Sequence, residues 1–168
     1  MTDVLDVCDA QLGQHEAADG TTKFGKWLDA QSPVTHVYAK AEWCAASAIY
    51  CIAQVPGGLE AIGGLHKSDA YVENWHRRMS ALGRVSMTPK LRRIVFYDWR
   101  GTGPDDNHVG ILKERKGSKL YVYEGNHRNR YELVERPFDS QVVGFAEWWS
   151  FVEQPAVVGG DTDWFIES

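Results

Sequence analysis

The spacing of apolar residues predicts helices in the first half of the chain. Apolar positions recur three or four residues apart over segments 3–12, 43–54 and 71–82, with a shorter segment at 24–28. Glycine or proline follows each of the longer segments, as expected where a helix ends. For segment 71–82, we expect Ser68 or Asp69 as the N-cap and Gly83 as the C-cap.

After Pro89 the pattern changes to short apolar blocks, which predict strands over residues 94–99, 108–114, 120–124, 131–134 and 141–145. Lys116-Gly117 lies where a tight hairpin turn would join the second strand to the third. Helices followed by antiparallel strands predict an α+β fold. We assign residues 1–145 to this domain and residues 146–168, rich in Trp, Gly and acidic residues, to a C-terminal tail or linker.

The composition narrows the class of protein. With 168 residues and 43% hydrophobic residues, the chain is long and apolar enough for one domain that needs no metal or disulfide. A net charge of −5 argues against nucleic acid as a partner. No apolar run approaches the roughly 18 residues of a membrane span. The first residues lack a secretory signal, so we expect synthesis in the cytoplasm.

Cys44 is the candidate nucleophile, because it lies where the helix predicted over 43–54 would begin. Backbone N–H groups there favour an anion and should lower the pKa of the thiol, and the N–H of Cys44 itself could stabilise an oxyanion. The small residues that follow, Ala45-Ala46-Ser47, allow the helix to pack closely on a sheet. A buried structural cysteine is the alternative, and it is the interpretation we adopt for Cys8 and Cys51.

His108 is the candidate base, since it follows a polar loop and opens an apolar strand. Gly110 would allow a close approach to that strand. If strands 108–114 and 120–124 pair as a hairpin, Glu124 returns beside His108, where it or Asn126 could orient the imidazole. The alternatives are a hydrogen-bonded histidine at a strand end and a Glu-Gly-Asn turn.

Four motifs occur in order: Glu42-Trp43-Cys44-Ala45-Ala46, a strand at 94–99, Asn107-His108-Val109-Gly110-Ile111 and Glu124-Gly125-Asn126. Together they resemble the cysteine, histidine-dependent amidohydrolases/peptidases (the CHAP family), papain-like peptidoglycan hydrolases, over roughly residues 3 to 145. The resemblance implies a papain-like fold with N-terminal helices packed on a C-terminal antiparallel sheet. It makes Cys44 the nucleophile, His108 the general base, Glu124 the orienting carboxylate and Asn126 a further polar member of the site.

The resemblance implies no cofactor and no metal. Some phage members bind calcium through aspartates before the nucleophile, but residues 32–43 contain no Asp, so we expect no calcium site there. The Cys44 N–H is the expected oxyanion donor, and Tyr38 is a second candidate.

The expected activity is cleavage of an amide bond in peptidoglycan, as N-acetylmuramoyl-L-alanine amidase or as endopeptidase. We expect a monomeric phage endolysin or virion-associated lysin, which reaches the cell wall after release at lysis or by export and could associate with a separate wall-binding or inhibitory partner. The alternatives are a papain-like amidase acting on a small amide, an exported bacterial effector, a toxin with an immunity protein, and a non-catalytic wall-binding module.

Overall fold

The computed structural model describes residues 2–31, 38–99 and 107–153. Within these residues the chain forms helices α1 (Val4–Asp9), α2 (Lys23–Ala30), α3 (Cys44–Ala53), α4 (Gly58–Ala61), α5 (Val72–Ala81) and α6 (Trp149–Glu153). The strands are β1 (Val85–Ser86), β2 (Ile94–Tyr97), β3 (His108–Lys116), β4 (Lys119–His127), β5 (Arg130–Pro137) and β6 (Val142–Ala146). The predicted α+β class is confirmed.

The predicted helices are present, but the start of α5 differs from the prediction. Its N-cap is Tyr71, and the predicted caps Ser68 and Asp69 lie in a preceding 3₁₀ turn, Lys67–Ala70. The reason is that the Asp69 carboxylate, which is fully buried, accepts hydrogen bonds from the Arg78 guanidinium instead of capping the helix. Gly83, with a positive φ of 69°, follows the observed C-cap at Leu82.

The five predicted strands, β2 to β6, and the short β1 form one antiparallel six-stranded sheet with the order β1-β6-β2-β3-β4-β5. The two-residue β1 and the four-residue helix α4 were not predicted, because neither is long enough to show a period. The hairpin joining β3 to β4 turns at Gly117 and Ser118, one residue later than expected. Gly117 has a φ of 60°, which the turn requires and glycine adopts readily.

Apolar side chains fill both faces of the sheet. One face packs against the helices through residues such as Phe96, Val109 and Tyr123, together with Ile49 of α3 and Trp75 of α5. The other face carries a second buried cluster of Val95, Tyr97, Leu112, Leu120, Val122, Val142 and Phe145. The sheet is therefore a rigid support whose ends can hold functional side chains.

The segment assigned to a tail, 146–168, begins within the fold. Ala146 ends β6, and Trp148 is fully buried, with its Nε1–H donating to the Arg92 carbonyl at 2.6 Å. Glu147 forms an ion pair with Arg93 at 2.9 Å. Residues 146–152 therefore pack on the sheet and helices, while the predicted tail from residue 154 to residue 168 lies outside the described residues.

Candidate functional site

Cys44 is the first residue of α3, as predicted, and its side chain is buried. The N-cap residue, Trp43, makes no side-chain capping hydrogen bond, so it does not occupy the N–H groups of the first turn. The backbone N–H groups of Cys44, Ala45 and Val109 interact with the sulfur. The contact with Val109 brings Cys44 to the start of β3, beside His108.

The expected lowering of the Cys44 pKa is wrong for the substrate-free protein. Burial raises the pKa of the thiol to about 11, and the nearby negative charge of Glu42 acts in the same direction. The N–H groups of Ala45 and Val109 lower the pKa, but they do not offset the loss of hydration. At neutral pH the substrate-free site therefore holds a thiol.

His108 and Glu124 meet as the hairpin geometry predicted. The His108 Nε2 and Glu124 Oε2 atoms are 3.0 Å apart, and both side chains are buried. Gly110 makes room for this contact, since a Cβ there would lie 2.6 Å from the Tyr123 carbonyl oxygen and 3.0 Å from Glu124 Cγ. With Nε2 bonded to the carboxylate, Nδ1 is the nitrogen left for a reaction partner.

Arg136 on β5 is a member of this cluster that the sequence analysis missed. Its Nε donates to Glu124 Oε1 at 3.0 Å, and its Nη2 donates to Glu124 Oε2 at 2.5 Å. Burial alone would raise the pKa of Glu124, but the hydrogen bonds from His108 and Arg136 and the positive charge of Arg136 outweigh it and lower that pKa. Glu124 is thus a buried carboxylate that stays ionised because Arg136 supplies a positive charge and both Arg136 and His108 form hydrogen bonds with it.

Trp99 was also missed as a site residue, although its indole covers the pair. The rings of Trp99 and His108 stack with centroids 4.2 Å apart, and the Arg136 guanidinium lies 4.8 Å from the Trp99 ring. Trp99 is 40% exposed, so one ring face borders solvent. The sequence signal that could have identified it is a Trp at the end of an apolar strand, directly before the polar segment that leads to His108.

Gly125 sets the distance between α3 and β4. A Cβ on Gly125 would lie 2.1 Å from Ser47 Oγ and 2.9 Å from Trp43 Cε3. The prediction that small residues let the helix approach the sheet closely is therefore confirmed. A register irregularity between Glu124 and His127 accompanies the positive φ of 59° at Asn126, and this bulge directs Asn126 toward the cleft.

Cys44, His108 and Asn126 line one cleft of about 220 Å³. The other residues lining it are Glu42, Trp99 and Asn107. Glu124 stands behind His108 with no exposed surface. The four predicted site residues are thus brought together at one end of the sheet. The chemistry such an arrangement can perform is proton transfer and nucleophilic attack by sulfur.

Tyr38 was the second candidate for the oxyanion donor, but its backbone N–H cannot serve, because it is already hydrogen-bonded. That group donates to Asp29 Oδ1 at 2.9 Å, and the Ala39 N–H donates to Asp29 Oδ2 at the same distance, so both are used inside the fold. The N–H of Cys44 remains the predicted donor.

No metal site is formed in the part of the chain that the structure describes, since no three His, Cys, Asp or Glu side chains cluster to hold an ion. The segment for which we expected no calcium site, 32–43, lies partly outside that part, because residues 32–37 are not described. Over the described residues, no helix combines the length and apolar character needed to cross a membrane.

Cys8 and Cys51 are fully buried, as predicted. Cys51 Sγ lies 3.5 Å from the Tyr131 hydroxyl, on the helix-packed side of the sheet. Neither cysteine lines the cleft. They provide matched controls for Cys44, since all three are free thiols.

Comparison of the chain with protein-family models, with curated proteins and with solved structures finds no match in any of the three.

Proposed function

We propose that the protein is a cysteine amidase or endopeptidase with Cys44 as nucleophile, His108 as general base and Glu124 as the carboxylate that orients His108. The observation that carries the proposal is that Cys44 and His108 line the same cleft while Glu124 binds the far side of the imidazole at 3.0 Å. A nucleophile, a base and an orienting group in this order match the requirements of covalent amide hydrolysis.

In the proposed reaction, His108 Nδ1 accepts the Cys44 thiol proton as Sγ attacks the carbonyl carbon of the substrate. The carbonyl π electrons move to oxygen, and the Cys44 N–H stabilises the oxyanion. The C–N bond then breaks, and His108 donates its proton to the leaving amine. His108 next takes a proton from water, the resulting hydroxide attacks the thioester, and the Cys44 thiol and a carboxylic acid are released. Proton transfer during attack suits a thiol whose resting pKa is about 11.

The substrate we propose is an amide bond of peptidoglycan, cut by N-acetylmuramoyl-L-alanine amidase or endopeptidase activity. The support is the resemblance of the four site motifs to the CHAP family, together with the helix and antiparallel strands on which they lie. A papain-like arrangement belongs to the same proposal. So does the setting: a monomeric endolysin or virion-associated lysin that meets the wall after lysis or export.

The proposal is tested by incubating wild type, Cys44→Ala and Cys51→Ala with purified cell walls from several bacteria. We expect wild type and Cys51→Ala to release soluble muropeptides and Cys44→Ala to release none. Cys51→Ala controls for loss of a buried thiol outside the cleft. Mass spectrometry of the fragments names the bond, since an amidase frees the lactyl carboxylate and the L-alanine amine, whereas an endopeptidase frees a carboxylate and an amine within the peptides and leaves the lactyl amide intact.

Release of the same fragments by Cys44→Ala would contradict the proposed nucleophile. Intact walls with all three proteins would contradict the peptidoglycan substrate, and small amides would then be tested with the same variants. Sedimentation with the walls without cleavage would instead favour a wall-binding module.

A further inference from the structure

We propose that Arg136 is a positioning residue that keeps Glu124 ionised and aimed at His108. This inference rests on the proposed function, since it assigns Arg136 to the same site. Arg136 does not line the cleft. It therefore acts through Glu124 rather than on a substrate.

Arg136 binds the Glu124 carboxylate through two hydrogen bonds, and we call this bidentate contact the clamp. Arg136 Nε binds Oε1 of Glu124 at 3.0 Å, and Nη2 binds Oε2 at 2.5 Å. Two hydrogen bonds from a planar guanidinium fix the plane of the carboxylate as well as its position. The same Oε2 binds His108 Nε2 at 3.0 Å. The orientation of the imidazole is thus set by a carboxylate whose own orientation is set by Arg136.

The need for a clamp follows from the burial of Glu124, which has no exposed surface. A buried carboxylate without a cation takes up a proton, and a protonated Glu124 no longer stabilises a positive charge on His108 during the reaction. Arg136 supplies a permanent positive charge, because its guanidinium is protonated throughout the pH range of proteins. Its side chain is 20% exposed, so it reaches solvent at one end while the bonded end is enclosed.

The other groups around the pair do not replace that charge. From β2 the neighbour is Tyr97, whose pKa burial raises, so it stays neutral. From β5, Glu132 lies opposite Glu124 in the register of the two strands, and its Oε2 forms a hydrogen bond with His127 Nδ1 at 2.6 Å. Asp139, after β5, and Glu42, before α3, are acidic. The Cys44 thiol is neutral at neutral pH. Arg136 is the permanent cation in this set.

Trp99 packs against His108 and Arg136 on the side of the clamp that borders solvent. Its ring stacks on His108 at 4.2 Å and lies 4.8 Å from the Arg136 guanidinium. One indole therefore covers both groups that bind Glu124 and limits the access of water to their hydrogen bonds.

NMR spectroscopy of the whole protein tests the inference without any substrate. Wild type, Arg136→Gln, Arg136→Lys and Arg93→Gln are compared by the pH titration of the Glu124 side-chain carbon and by the His108 Nε2–H signal. Arg93→Gln is the matched control, since Arg93 binds Glu147 at 2.9 Å away from the cleft. The His108 signal is identified by its loss in His108→Ala.

We expect Arg136→Gln to raise the midpoint of the Glu124 titration by about one pH unit or more and to weaken or remove the Nε2–H signal. Arg136→Lys keeps the charge but not the clamp, so the midpoint should return toward that of wild type. Arg93→Gln should change neither signal. An unchanged Glu124 midpoint in Arg136→Gln, or an equal rise in Arg93→Gln, would overturn the inference.

Should Arg136→Gln fail to fold, the wild-type protein supplies a second measurement. The Arg136 Nε–H signal must then change with the same midpoint as the Glu124 carbon, because one proton disturbs both. An Arg136 signal that stays constant while Glu124 titrates would overturn the clamp. Failure on cell walls leaves these results unaffected, so the two proposals can fail separately.

Discussion

Replacing Gly125 with alanine should displace the helix that carries Cys44. The added Cβ would lie 2.1 Å from Ser47 Oγ, 2.8 Å from Ser47 Cβ and 2.9 Å from Trp43 Cε3. All of these atoms belong to side chains that are at most 1% exposed, so they have no open space to move into. The backbone of Gly125 does not have a positive φ, so the cost is steric rather than conformational.

The expected change in the free energy of unfolding of Gly125→Ala is the balance of two opposing effects. Overpacking of a buried contact costs up to about 3 kcal/mol. Alanine recovers about 0.5–1 kcal/mol of the entropy that glycine loses in a strand. We expect a net loss of about 2 kcal/mol in the free energy of unfolding, which lowers the melting temperature by about 4–8 °C at this chain length. A shift of α3 by about 1 Å should reduce the rate of hydrolysis about 100-fold.

The assay combines thermal unfolding with the rate of muropeptide release. Ser47→Ala in the Gly125→Ala background removes the closest contact, so the two changes should couple by about 1 kcal/mol or more. Gly144→Ala is the control, because its Cβ would lie 2.6 Å from Val85 Cγ1, on the same helix-packed face but beside β1 and outside the cleft. It should lower stability but leave turnover close to wild type. Additive effects of Gly125→Ala and Ser47→Ala, or full activity in Gly125→Ala, would show that Gly125 does not set the position of α3.

Three further results are expected. Alkylation of Cys44 by iodoacetamide should rise with pH up to a midpoint of about 11, against about 9 in the unfolded chain, because burial disfavours the thiolate; a rate that is already constant at neutral pH would show a preformed thiolate. Glu42→Gln should increase that rate at neutral pH, by less than about tenfold, because it removes a negative charge near the sulfur; a decrease would contradict the assigned effect of Glu42. Trp148→Ala should cost about 3–5 kcal/mol in urea unfolding, since the indole is fully buried; a loss below about 1 kcal/mol would mean that the segment after β6 does not contribute to the fold.

The elements with a clear period could be predicted from the sequence. Helix α3 and the strands β2 to β6 lie where the apolar pattern indicated, because each buries one face or both. The N-cap of α5 could not be predicted, because the Asp69 carboxylate accepts a hydrogen bond from Arg78, which lies in the second half of that helix. The packing of Trp148 was equally invisible, because it depends on contacts with Arg92, which is distant in sequence.

The meeting of His108 and Glu124 was predictable because one hairpin brings the two strand ends together. Arg136 was not, because the alternating charged residues of β5 resemble a solvated strand face. The register pairs Arg136 with Leu120, four residues before Glu124, and the long arginine side chain spans the remaining distance. The pKa of Cys44 was predicted in the wrong direction for a related reason. The position at a helix start is visible in the sequence, but the burial that outweighs the helix N–H groups is a property of the packed site.

The proposed mechanism requires that Cys44 forms a covalent bond to the carbonyl carbon that it attacks. It is tested most directly by quenching wild type in acid during turnover of solubilised wall fragments and measuring the mass of the peptide that contains Cys44. We expect an acyl adduct on Cys44 in wild type and in Cys51→Ala, and no adduct after treatment with iodoacetamide at high pH. Turnover without any adduct, accompanied by full activity of Cys44→Ala, would contradict it.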